Sequence, residues 1–435
     1  MQVFIGIDVG TSACRACATD ERANILAQAS TPLPAPQRDG NRVEQNPEVW
    51  WQALCEALDT LSRQFDTARV SRITLDATSS TLLLCTPDGT PLTAGLMYND
   101  ARSLAEAERI AAAAPPDSAA RGASSSLAKL LHLRTTLPDA TPYLALHQAD
   151  WLVGRLSGRF GVSDENNALK AGYDPLRRCW PDWLQQLDVQ PVQLPEVLPP
   201  GTPVGTLRAD LAERWNWPEA TTLVAGTTDS TAGFIATGAQ RNGTAVTVLG
   251  STLVVKVLSD QPVFDARYGV YSHRLGERWL VGGASNAGGT VLRKLFNNCD
   301  IHRYTRLLQP QRLTGLDYYP LPGHGERFPV NDPALEPRLE PRPASDREFF
   351  QGILEGLAHI EQRGYRLLAE LGAPYPREVL TVGGGAVNSG WMAIREQLLN
   401  VPVSRAQQQE AAYGAALLAL RSPSWRAPAL PQTSS

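Results

Sequence analysis

Lysine is nearly absent from this chain of 435 residues. Only Lys129, Lys170, Lys256 and Lys294 occur among 40 basic positions, the other 36 being arginine. No Gly-Lys-Ser or Gly-Lys-Thr therefore exists, which excludes a Walker-type phosphate loop. The longest apolar runs fall far short of the roughly 18 residues a membrane-spanning helix needs. The six histidines (132, 147, 273, 302, 324, 359) show neither HExxH nor HxH spacing, so no metal cage is legible. No Gly-x-Ser-x-Gly elbow occurs, which counts against an α/β-hydrolase. Cys14-Arg-Ala-Cys17 has no second pair and sits in an expected strand. Packed thiols in a reducing compartment are the expectation for all six cysteines. Met1 to Asp8 has no basic leader and meets an acid at position 8, unlike a signal or transit peptide, so a cytoplasmic protein is expected. A net charge of −4 builds no field for nucleic acid or for an anionic membrane.

With 43% hydrophobic and 19% charged residues, the chain can bury large cores. Its length suggests two or three domains at roughly 150 residues each. An apolar strand, Val3 to Val9, is broken by Gly10-Thr11-Ser12 and followed by strands at about 13–19 and 25–29, a hairpin meander. Asn46-Pro47-Glu48 supplies a cap, a first-turn proline and an acid, and opens a helix with Trp50, Leu54, Leu58 and Leu61 on one face. A strand from Ile73 to Ala77 ends in Thr78-Ser79-Ser80. From Thr221 the pattern begins again. Strand 222–225 leads into Gly226-Thr227-Thr228-Asp229-Ser230, read as a turn opening a helix. Strand 245–249 is broken by Gly250-Ser251-Thr252 and returns over 253–258. Strand–(Gly-Thr/Ser)–strand thus occurs twice, a weak internal repeat pointing to a duplicated domain with a cleft between copies. A capping box at Ser345 and Glu348 starts a long helix ending near Gly372. Strand 379–382, three glycines and helices at about 388–399 and 410–420 follow. Proline clusters at 195–203 and 320–343 read as loops.

Four strand-end turns are the places for chemistry. Asp8 at a strand end suits Mg²⁺, and the Gly10-Thr11-Ser12 turn offers N–H and hydroxyl donors to phosphate oxygens. It also reads as an ordinary tight turn. Asp229 reads either as a helix cap or as a general base taking a proton from a substrate hydroxyl. Gly250-Ser251-Thr252 and Gly383-Gly384-Gly385 let backbone approach a flat or charged ligand. The latter is not a dinucleotide fingerprint, since Asn388 stands where a third glycine is wanted. Ligands of α/β proteins bind at such strand ends.

Taken in order, these stretches make the whole chain resemble the FGGY carbohydrate kinases, most of all the short D-ribulokinases of the cyanobacterial and plant xylulose-kinase-like type. Further matching stretches are Asp76-Ala77-Thr78-Ser79-Ser80-Thr81, Ser125 to Leu130, Gln148 to Leu152, Gly282 to Asn286 and Leu316 to Pro320. His132 stands where the lysine-centred signature of that family carries tryptophan. Asn99-Asp100-Ala101-Arg102 departs from the pairs of larger xylulokinases and glycerol kinases.

The resemblance implies an α/β fold of two actin-like (ribonuclease H-like) domains flanking a deep nucleotide and sugar cleft. It suggests a sugar-binding domain over 1–220, an ATP-binding domain over 221–423 and a flexible tail over 424–435. It makes Asp229 the catalytic base and Asp8 the metal and substrate carboxylate. Asp8, Ser12, Ala13, Ser79 and Asp229 would meet the sugar. Thr11, Gly250, Ser251, Thr252, Gly384, Gly385, Asn388 and Trp391 would meet ATP. The implied reaction is ATP- and Mg²⁺-dependent phosphorylation of a free ketopentose, D-ribulose first. D-xylulose, L-ribulose, erythritol or glycerol are alternatives within the family. An actin-like or heat-shock-chaperone-like ATPase without a sugar, and a sugar-binding protein that has lost catalysis, are the rivals outside it. No apolar stripe marks a subunit interface.

Overall fold

In the computed structural model, which describes residues 2–138 and 141–421, strand β1 (Val3–Val9) is buried along its whole length. Its near-continuous apolar run is what a strand covered on both faces requires. It sits inside a six-stranded sheet with β2 (Ala13–Thr19), β3 (Ile25–Pro32), β4 (Val70–Ala77), β5 (Pro203–Thr206) and β6 (Thr222–Thr228), in the order β5-β6-β4-β1-β2-β3. β1, β2 and β3 form the expected antiparallel meander, while β4 runs parallel to both β1 and β6. The carboxyl ends of β1, β4 and β6 therefore lie at one edge. Asp8 pairs across to Asp76, and Asp76 to Thr227.

Helix α1 (Pro47–Leu61) covers β2 and β3. Its cap is the expected one, Asn46 accepting from the Glu48 N–H at 3.0 Å, and Trp50 is buried with its Nε1 donating to Gln45 at 2.6 Å. A second sheet of five short strands (37–39, 42–45, 82–85, 95–96, 144–147) packs with α2 (Ser126–Arg134), and helix α3 (Gln148–Ser157) follows its last strand.

The segment 226–230 differs from its sequence reading. Gly226, Thr227 and Thr228 continue β6, and α4 (Asp229–Ala236) begins directly at Asp229. The cause lies in the neighbouring strand: a Cβ at Gly226 would overlap the Leu75 carbonyl, and the β6–β4 register shifts between Val224 and Thr227. Only glycine lets the two backbones meet there.

The other unit repeats the device. β7 (Thr244–Leu249) pairs antiparallel with β8 (Leu253–Ser259), which pairs with β9 (Arg278–Ser285); β10 (Glu378–Val382) runs parallel to β7, and β11 (Val403–Arg405) parallel to β10. The hairpin-plus-parallel-strand arrangement of β2-β1-β4 recurs in β8-β7-β10, as the internal repeat suggested. Around it lie α5 (Gly289–Leu295), α6 (Asp346–Glu370) and α7 (Ser389–Leu399). Ser345 caps α6 through the Glu348 N–H.

The chain divides differently from the boundary expected at residue 220. One unit takes the residues up to Gly238, His273–Glu277 and the segment from Glu410, and the other takes Ala239–Ser272 and Arg278–Gln409. Thus β6, α4 and α8 (Ala411–Arg421), the last helix of the described residues, belong to the first unit, because β6 pairs with β4 and α8 packs on β1 and α4. A Cβ at Gly6 would overlap the Ala412 carbonyl, and one at Gly414 the Ala232 carbonyl, so two glycines allow this close packing. The expected tail, 424–435, lies outside the described residues. Within the proline-rich stretches, 196–198 and 203–206 are short strands, while 320–343 carries only isolated bridges. Among the described residues all six cysteines are free; Cys179 and Cys299 are exposed rather than packed, since neither falls on a core-facing position.

Candidate functional site

In the first unit the edge shared by β1, β4 and β6 gathers carboxylates. Asp8 is only 6% exposed. Burial, then the charge of Asp229, pushes its carboxyl up to about 6 against the opposing pull of Arg15. The Arg15 Nη1 donates to Asp8 Oδ2 at 3.3 Å. Asp229, half-buried, is the first residue of α4, and its Oδ1 accepts from the Ser230 N–H at 2.6 Å. The residue in the cap position is Thr228, whose hydroxyl pairs with that of Thr231 at 3.0 Å. A capping role therefore does not account for Asp229.

Between these two lies Asp76, fully buried and with no well-formed hydrogen bond to either carboxyl oxygen. Burial, followed by the charges of Asp8 and Asp229, holds its carboxyl well above the usual carboxylate range. The sequence motifs give Asp76 no site role, although a lone acid ending the apolar run Ile73-Thr-Leu75 is the kind of signal that marks it. Arg15 was missed also, because its alternation in β2 reads as an ordinary strand.

The loop after β1 closes with the Gly10 N–H donating to the Ala13 carbonyl at 3.1 Å. Thr11 is half-buried and Ser12 exposed, whereas Ala13 is buried and offers only backbone. Ser79 is half-buried in the turn Thr78–Thr81, where Thr78 donates to Gln148 Oε1 at 2.8 Å and accepts from Thr81 at 2.5 Å. The fold thus brings Asp8, Thr11, Ser12, Ser79 and Asp229 to one sheet edge.

In the second unit Gly250, Ser251 and Thr252 form the corresponding turn. The Gly289 N–H donates to the Gly250 carbonyl at 2.9 Å, the Thr290 N–H to the Ser251 carbonyl at 3.2 Å, and Arg293 Nη2 to Ser251 Oγ at 2.9 Å. Gly384 is open, and Asn388 caps α7 by accepting from the Trp391 N–H at 2.9 Å. An open groove of about 330 Å³ runs beside this loop, lined by Val387, Met392 and Arg405 among others. Trp391 is not on its surface. The indole is 2% exposed, packs beneath Gly385 and donates to the Leu354 carbonyl at 3.0 Å, so it supports the loop from the core instead of facing a ligand.

No group of three or more His, Cys, Asp or Glu forms a protein-only metal cage among the described residues. The oxygen donors of Asp8, desolvated and under repulsion from Asp229, do fit a magnesium ion that keeps water and phosphate oxygens as its other ligands. No helix of the described residues is long and apolar enough to cross a membrane.

Two α/β units, each built on a hairpin beside a parallel strand, place the fold among the two-domain sugar kinases of actin-like architecture. A kinase from Brucella ovis described as a xyloylose kinase superposes with a TM-score of 0.86 at 24% identity, covering 96% of this chain and 90% of that one, a likeness of fold. The N-terminal domain model of the FGGY family of carbohydrate kinases matches residues 3–236 and the C-terminal domain model matches 245–422. The chain belongs to the FGGY family and is a carbohydrate kinase. The xylulose kinase of Escherichia coli (strain K12) is 24% identical over 89% of this chain and 83% of its own length. The gluconokinase of Bacillus subtilis (strain 168) is 22% identical over 96% of this chain and 87% of its own. Family and fold class stand as the sequence motifs implied; neither of these two relatives is named for ribulose.

Proposed function

We propose that the chain transfers the γ-phosphoryl group of ATP to a primary hydroxyl of a free ketopentose, D-ribulose before others, giving D-ribulose 5-phosphate and ADP. The observation that carries this reading is the pair Asp8 and Asp229, two carboxylates whose charges interact at the edge of β1 and β6, with Ser12 and Ser79 in the turns that follow β1 and β4. Phosphoryl transfer needs positioning and charge neutralisation more than covalent chemistry. Asp229 accepts the proton of the sugar hydroxyl as its oxygen bonds to phosphorus and the bond to the ADP oxygen breaks. Asp8 would hold Mg²⁺, which when bound would neutralise phosphate charge. Asp8, Ser12, the Ala13 backbone and Ser79 orient the sugar. Backbone and hydroxyl groups of Thr11, Gly250, Ser251 and Thr252 meet phosphate oxygens, and Gly384, Gly385 and Asn388 meet adenine. The first unit thereby carries the sugar and the second the nucleotide.

D-xylulose is the second reading, favoured by the relatives named for it. ADP release from Mg·ATP across a panel of ketopentoses, with gluconate and glycerol included, separates the two by kcat/KM. A preference for D-ribulose supports the first reading, and a preference for D-xylulose moves the substrate to its epimer with the chemistry intact. Asp229→Ala is expected to lower kcat by about 10²–10⁴-fold. Retention of more than about a tenth of turnover would remove Asp229 as the base.

A further inference from the structure

Lys129 is one of only four lysines, and it is wholly buried on α2. Burial pushes its ammonium down to about 7, with Asp100 opposing and Lys170 adding to that shift. A lysine is costly to keep in such a place unless its donor is used. Its Nζ donates to the Ser80 carbonyl at 2.7 Å.

Ser80 is itself unusual. It holds φ at +68°, a left-handed conformation disfavoured for a residue with a Cβ, and its own hydroxyl is buried without a partner. Something outside the turn must hold it there. The turn is gripped from two helices. From α3, Gln148 accepts from Thr78 and donates its backbone N–H to the Thr81 carbonyl at 3.0 Å. From α2 comes Lys129. The two helices are joined by a buried chain in which Asp150 Oδ2 pairs with His147 Nδ1 at 2.7 Å and His147 Nε2 with Ser126 Oγ at 2.9 Å. Those three side chains are buried, and their hydrogen bonds tie the two helices together.

We propose that Lys129 is a positioning residue of the sugar site, holding the left-handed Ser80 through its carbonyl so that Ser79 is presented to a substrate hydroxyl. The proposal rests on the reading of Ser79 as a sugar contact, but the holding of the turn can be tested apart from it. In the full-length chain without substrate, Lys129→Met should speed amide hydrogen exchange at Thr81 and Gln148 by about tenfold or more, the scale of a lost buried hydrogen bond, while exchange in the second unit stays as in the wild type. Unchanged exchange at both amides would overturn the proposal, whatever the sugar. Steady-state kinetics then test the consequence. Lys129→Met should raise KM for the preferred ketopentose by about tenfold or more and leave KM for ATP within about twofold. In a Ser79→Ala background the same change should add little, because its effect passes through Ser79. Equal rises in both KM values, or full additivity with Ser79→Ala, would overturn it by showing a general loss of structure. Lys129→Gln, which keeps a donor of shorter reach, serves should the methionine variant not fold; it is expected to fall between wild type and Lys129→Met in exchange. A wild-type enzyme stimulated by no sugar would instead defeat the functional reading, and the exchange result would still decide the role of Lys129.

Discussion

Asp8, Asp76 and Asp229 crowd three carboxyl groups onto neighbouring strand ends, and burial and mutual repulsion raise the first two. A carboxyl whose folded pKa lies above its unfolded value stabilises fully below about 4 and loses that contribution as pH rises through the folded value. For Asp8 that value is about 6, and for Asp76 it is well above the ordinary 3.8. The metal-free protein should therefore lose stability from about pH 4 through pH 6 and onward. Asp76→Asn, which copies the shape of the protonated acid, should fold with a Tm at pH 7 equal to or above that of wild type. Its stability should also decline less between pH 5 and pH 8 in denaturant titrations. Identical pH slopes would mean that Asp76 is ionised in the native protein. Asp8 and Asp229 are legible as strand-end acids in characteristic motifs; the upward push on the Asp76 carboxyl is not, because it depends on which strands become neighbours.

Element starts and stops were read mostly from local chemistry. Asn46 and Ser345 each cap their helix as the sequence pattern requires, and both Gly-Thr/Ser turns interrupt hairpins where expected. The segment at Gly226 was misread because a glycine after a strand signals a turn locally, whereas here it answers to the backbone of β4. The motif puts Trp391 with the nucleotide, yet its position on α7 turns it into the core. Deeper in the same unit, Arg395 of α7 and Glu361 of α6 form a doubly bonded ion pair, both side chains wholly buried, at 2.6 Å for each contact. Thr381 accepts a further bond from Arg395 at 2.7 Å. Arg395→Met would leave Glu361 charged and unpaired in the core and is expected to cost about 3–5 kcal/mol. Adding Glu361→Gln should recover part of that loss. Denaturant unfolding of the single and double variants measures both, and a single-variant loss under about 1 kcal/mol would show that water reaches the pair.

Among the described residues, the first unit is finished only by α8, the last helix of that stretch. α8 packs on β1 and α4 through the contacts at Gly6 and Gly414. A chain ending at Gly238 would leave the inner face of β1 without that cover. It is expected to lack cooperative unfolding and to expose apolar surface to dye, while the full chain does neither. A sharp unfolding transition in the shortened chain would show that α8 is dispensable. The same return explains why a boundary at residue 220 does not match the two units: a linear reading cannot see a helix come back nearly two hundred residues later.

What the sequence determined by itself was whatever a short stretch controls: the hairpins, the caps, the apolar strands, and motifs ordered closely enough to identify the family. Those signals act over a few residues, where propensity, turn chemistry and periodicity decide the outcome. Tertiary structure alone decided that Asp76 sits between Asp8 and Asp229, that Lys129 reaches Ser80, that Trp391 faces inward and that α8 completes the first unit. Each depends on which distant backbones pack together, because desolvation, charge coupling and close approach arise between neighbours in space.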